Sequence, residues 1–254
     1  MNKTEKLDEL FSSWENEGLF APQGQLGQFI SDGIVCEKQF EECPLKVLFV
    51  LKDTNDRKPE LTYPRGICDE VLKSDALGEV WNRIAEWARA LTEGVLTYIH
   101  ADDLKKEDCE APDERDGARK YFKRIAILNL KKASGKGNIT VKNLQRYAAD
   151  SSDEIDRIKT ELSIISPDVI IACSSDAFSI LQSMIFKDKF EITDTPFYFK
   201  GNMQGYGSYF DIGPFLNSSK PVYVIEYRHP NRSGSSKEHY QNMLAIREFV
   251  LKNR

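Results

Sequence analysis

The chain has 254 residues, 41% hydrophobic and 30% charged, a balance that suits a soluble globular protein with a full core. Its formal net charge of −5 argues against indiscriminate coating of nucleic acid but leaves room for a local basic site. No apolar run approaches the roughly 18 residues of a membrane span, and the charged, amphipathic start MNKTEKLDELFSSW lacks the apolar centre of a secretory signal. A cytoplasmic protein with no membrane partner is therefore expected. The cysteines Cys36, Cys43, Cys68, Cys109 and Cys173 form no C-x2-C pair and are read as reduced thiols, so no metal or other cofactor is implied.

In chain order, Leu7, Leu10, Phe11 and Trp14 recur at helical spacing. The loop-like EGLFAPQGQLGQF follows. KVLFVLK (46–52) has the unbroken apolar character of a buried strand, and the polar, proline-bearing stretch 53–68 is read as the loop at its end. Leu77, Val80, Trp81, Ile84, Trp87, Ala88 and Leu91 predict a helix over 75–94. The charge-rich segment 100–120 is read as a surface excursion. RIAILNLK (124–131) predicts a second strand, followed by the polar glycine loop KASGKGN.

Ser151 and Glu154 stand at capping-box spacing before the stripe Ile155, Ile158, Leu162 and Ile165, and Pro167 stops that helix. DVIIACS is a third strand and DAFSILQSMI a helix. FEITD and TPFYFK form a small β excursion, and PVYVIEY is a fourth strand. Ser235 and Glu238 again fit a capping box ahead of a final helix carrying Tyr240, Met243, Leu244, Phe249 and Val250.

Strands without alternation are buried on both faces, and alternated with helices they predict a mainly parallel sheet in a three-layer α/β/α sandwich. A single domain over 1–254 is expected, with residues 1–44 as a helical extension packed on it. In such sheets ligands bind at the carboxyl ends of strands. Three polar stretches converge there: Asp53 to Asp56, Asn129 to Asn138, and Arg228 to Ser236.

Each candidate has a structural reading beside its functional one. His229 follows a strand and precedes Pro230 and the start of a helix, where an imidazole can donate to developing negative charge; otherwise it merely ends the strand. Asn129 interrupts an apolar strand, and its amide can read a base edge or be satisfied by nearby backbone. Asp53 can orient a water or act as a general base, with Asn55 and Asp56 as competitors, or it can close an Asx-turn. KKASGKGN (131–138) can hold phosphates or be a solvated turn, and it fails the P-loop pattern.

In order, these pieces resemble the uracil-DNA glycosylase superfamily. In KVLFVLKDTND, Asp53 falls where such enzymes carry the acidic residue of a GQDPY element. AILNLKKASGKGN is similar to their LLN strand and the loop after it, PDVIIACSSDAF to the next strand and helix, and VYVIEYRHPNRSG to the closing strand and HPS loop. The resemblance spans about residues 45 to 250. Leu51, Lys52 and Thr54 replace the usual small residue and proline around Asp53, and HPN replaces HPS. The clustered cysteines of the iron–sulfur members are missing.

The resemblance implies excision of a flipped base, uracil first, during DNA repair. Asn129 would read the base and Tyr63 would stack on it. Asp53 would orient the attacking water, and His229 would donate to the departing base. Lys131, Lys132, Ser134, Asn231, Arg232 and Ser233 would hold phosphates, with Ser233 also falling near the usual intercalating position. The implied partner is DNA, single-stranded DNA included, or a nucleobase or nucleotide. A second reading is a catalytically inactive nucleic-acid or nucleotide-binding protein of the same fold. A third, a hydrolase or transferase acting on a small molecule, is weakened by the lack of a G-x-S-x-G elbow or a dinucleotide fingerprint.

Overall fold

Four apolar runs dominate the structure, and each becomes a strand buried on both faces. The computed structural model describes residues 1–16, 29–52, 65–73, 78–107, 116–132, 152–187, 189–195, 207–232 and 234–254. The elements, in chain order, are α1 (Lys3–Asn16), β1 (Gly33–Ile34), α2 (Glu37–Glu42), β2 (Val47–Leu51), α3 (Gly66–Lys73), α4 (Glu79–Glu93), α5 (Ala101–Glu107), α6 (Asp116–Phe122), β3 (Ile125–Asn129), α7 (Ser152–Ile165), β4 (Val169–Ala172), α8 (Ser175–Ser179), β5 (Thr193–Asp194), β6 (Ser208–Asp211), β7 (Tyr223–Glu226) and α9 (Ser236–Asn253). Helix α8 runs on into a π-helical turn over Ile180–Ile185.

The protein is α/β with a seven-stranded mixed sheet in the order β1-β3-β2-β4-β7-β6-β5. The four predicted strands are the parallel centre, β3-β2-β4-β7, in a register that sets Leu51 beside Asn129 and Ala172 beside Glu226. The edges are antiparallel: β1 against β3, and β6 against β7 and β5.

Alternate strand residues feed two cores. Val47, Phe49, Ile127, Ile171 and Ile225 face Trp87, Leu91, Phe122, Tyr240 and Met243 from α4, α6 and α9. Leu48, Val50, Leu128, Ile170 and Val224 face Phe11 and Trp14 from α1, Leu162 from α7 and Phe178 from α8. Each fully buried Leu, Val, Ile or Phe contributes about 1.5–3 kcal/mol, so covering both faces is the main driving force of the fold.

Several expectations need correction. The segment 100–120 is not only a surface excursion: α5 and α6 lie within it, and Ala101, Leu104 and Ala118 are buried. The loop expected over 53–68 gives way to α3 at Gly66, which has a positive φ and whose hydrogen lies against the Ser31 carbonyl, where a methyl would collide. Residues 1–44 are more than a helical extension, because β1 adds an edge strand to the sheet. The Ser235 capping box does not form: Ser235 is the N-cap, but its side chain makes no capping bond. Ser151 and the segment 196–200 lie outside the described residues.

Candidate functional site

Taken in chain order, the parallel strands are β2, β3, β4 and β7, yet their spatial order is β3-β2-β4-β7. The winding direction therefore reverses between β2 and β4, and a crevice opens at the carboxyl ends beside such a reversal. An ion pair spans it: Lys52, just past β2, bonds Asp176 near the start of α8 at 2.9 Å. Ser174 caps that helix through its hydroxyl, which accepts from the Ala177 N–H at 3.1 Å. Glu226 ends β7 on the same edge. Burial raises its carboxyl above the ordinary range, opposed by a bond to Ser175.

Asn129 ends β3 on this edge and is 1% exposed. Its main-chain N–H donates to Asp32 Oδ2 at 2.6 Å and its Nδ2 to the same oxygen at 3.4 Å. Among the described residues, Asn129 Oδ1 is buried and accepts no hydrogen bond. Such an orphaned acceptor costs about 1–3 kcal/mol, and one left in place calls for a functional account. The plain alternative, an amide satisfied by neighbouring backbone, does not describe this oxygen.

Behind Asp32 lies a sealed charge cluster. Lys132 Nζ pairs with Asp32 Oδ1 and, at 2.8 Å, with Glu161 Oε2. The Phe11 and Trp14 rings lie 5.3 Å and 6.0 Å from the ammonium. Burial alone would lower the Lys132 pKa, but the two carboxylates outweigh it and hold it above its usual value. Burial, with Asp32 beside it, pushes Glu161 well above the carboxylate range despite Lys132.

This placement corrects one expectation. Lys132 is 0% exposed and neutralised from both sides, so it does not hold nucleic-acid phosphates. Releasing it would leave the Asp32 carboxylate in the interior without its cation. Lys131 is buried too, with its N–H bonded to Lys52 O at 2.9 Å.

His229 lies just beyond β7 and is half-buried. Its Nδ1 accepts from the Asn231 N–H at 3.2 Å, and its carbonyl accepts from the Arg232 N–H at 2.9 Å. With Nδ1 accepting, the neutral ring carries its proton on Nε2. Arg83 on α4 straps this turn down through bonds to Arg232 O at 2.7 Å and Ser236 Oγ at 3.3 Å. Asn231 and Arg232 are exposed on the turn. The strands of Asn129 and His229 are separated by three strand spacings, roughly 14 Å at about 4.8 Å each. Asp53, Tyr63, Ser134 and Ser233 lie outside the described residues.

Under the turn lies a network that the pattern of apolar residues does not announce. Asn242 Nδ2 donates to Tyr227 Oη at 3.1 Å, and Tyr227 Oη bonds His239 Nδ1 at 2.8 Å. The His239 ring also packs against Trp87. Burial, reinforced by Arg83 and Arg228, lowers its pKa to about 4, so it is neutral at pH 7. Gly234 comes so close that a methyl there would meet His239 Nε2. Asp32, Glu161, Arg83 and His239 all escaped the sequence reading. His239 alone had a signal, as one of three histidines and on the helix that follows the His229 turn.

Comparison with protein-family models and with curated proteins returns no match. Among the described residues, no helix is long and apolar enough to cross a membrane.

Proposed function

We propose that the protein is a divergent glycosylase-like enzyme with the three-layer architecture of the uracil-DNA glycosylase superfamily. It hydrolyses the N-glycosidic bond of a deaminated or damaged base in DNA, uracil being the first candidate. The observation that carries this reading is Asn129: a buried amide at the carboxyl edge of the parallel sheet, whose oxygen has no donor among the described residues. A base edge can supply that donor. His229, three strands along the same edge and protonated on Nε2 in its neutral form, is suited to donate to the departing base. Asp53 directly follows the end of β2 and Lys52 in sequence, and its assigned water-orienting role rests on that position and on the resemblance.

One observation favours binding without excision. Lys52, the neighbour of Asp53, is tied to Asp176 across the strand reversal, and the residues around Asp53 depart from the superfamily's pattern. Product formation separates the two readings. Uracil-containing single- and double-stranded oligonucleotides are incubated with wild type, Asp53→Ala and His229→Ala, and abasic sites are cleaved and counted. Excision lost in both variants supports the enzyme. Binding without excision by the folded wild type supports the inactive reading.

A further inference from the structure

We propose that Asp32 is a specificity-determining positioning residue. It fixes the orientation of the Asn129 carboxamide so that the site accepts bases with a lactam edge, an N–H beside a carbonyl, and rejects those with an amidine edge, such as cytosine. The inference rests on the reading of Asn129 as the base reader and names the base class that follows from it.

Turned over by 180°, an asparagine amide exchanges its donor and its acceptor, so an unrestrained Asn129 could pair with either edge. Asp32 removes that freedom. Its Oδ2 already accepts the Asn129 main-chain N–H at 2.6 Å and lies 3.4 Å from the side-chain nitrogen. A carboxylate offers only acceptors, so an Asn129 oxygen turned towards it would set acceptor against acceptor. The nitrogen must face Asp32. What remains for a ligand is Oδ1, which has no partner among the described residues, and the second Nδ2 hydrogen. That pair complements N–H beside C=O.

The carboxylate is itself held in place. Asp32 is 4% exposed, and its other oxygen is bound by Lys132, which is clamped in turn by Glu161 and covered by Phe11 and Trp14. The buried ion cluster thus acts at a distance on which base is chosen.

The test uses oligonucleotides carrying one 2′-fluoroarabino nucleotide, which resists excision, with uracil, N3-methyluracil or cytosine as its base. Wild type is expected to bind the uracil form at least about tenfold more tightly than the other two. Asp32→Asn, whose own amide can donate or accept, frees Asn129 to turn over, so the preference collapses with cytosine gaining most. A folded Asp32→Asn protein that keeps the wild-type preference overturns the proposal and leaves the base-reader reading intact. A wild type indifferent to all three bases, and unaffected by Asn129→Ala, overturns both.

Should Asp32→Asn not fold, nitrogen-15 spectra of wild type decide. The Asn129 side-chain NH2 pair is assigned by its loss in Asn129→Asp. One proton exchanging with water far more slowly than its twin supports the lock, and two equally fast protons overturn it.

Discussion

Lys132 and His239 show how burial changes what a charged or titratable residue does. Lys132 stands beside a strand end in a basic, glycine-rich stretch, which reads as a phosphate contact, but its ammonium is spent on Asp32 and Glu161. Lys132→Met therefore leaves Asp32 without its buried cation and is expected to cost about 3–5 kcal/mol in urea denaturation. His239 stays neutral because its pKa lies near 4 rather than 6.5. The unfolded chain binds a proton at higher pH than the native state does, so this residue's stabilisation is complete above pH about 6.5. It declines as the pH falls towards 4, by roughly 3 kcal/mol across that window. Urea midpoints measured from pH 8 to 4 should show an acid limb that His239→Gln flattens. An unchanged limb would place the titration elsewhere.

At the scale of elements, two serines at helix starts look alike in the sequence but differ in the structure. Ser174 accepts from the Ala177 N–H, whereas Ser235 makes no capping bond. Ser174→Ala is expected to cost about 1 kcal/mol and Ser235→Ala close to nothing, a contrast that denaturation midpoints resolve. The same limit explains what was legible. The four central strands were plain because burial on both faces leaves an unbroken apolar run. The two-residue strand β1 is too short to carry a pattern, whereas β5 falls within FEITD, where a β excursion was expected, and α5 and α6 were hidden by charges on their solvent faces. Asn129 was legible as a polar residue inside an apolar strand. Asp32 and Glu161 were not, because the contacts that give them meaning reach 97 and 29 residues along the chain, to Asn129 and Lys132.

For the whole molecule, the burial of these lysines sets how strongly salt would govern the proposed nucleic-acid binding. The chain carries a net charge of −5, and Lys131 and Lys132 are withdrawn into the interior. Of the described basic residues on the candidate edge, Lys52 is paired with Asp176, Arg228 is half-buried and Arg232 is exposed on the His229 turn. Two or three phosphates are the most these described groups can neutralise. Each phosphate contributes about 0.7 to the slope of log affinity against log salt for a single strand, and about 0.9 for a duplex. The slope is therefore expected to lie between about −1 and −3. Arg232→Ala should make it shallower by roughly one contact, whereas Lys132→Met should leave it unchanged while lowering stability. Fluorescence anisotropy of a labelled oligonucleotide across a salt series measures all three proteins. A slope steeper than about −5 would mean the strand runs over a different, more basic surface, and the base-reading edge would then have to be sought away from Asn129.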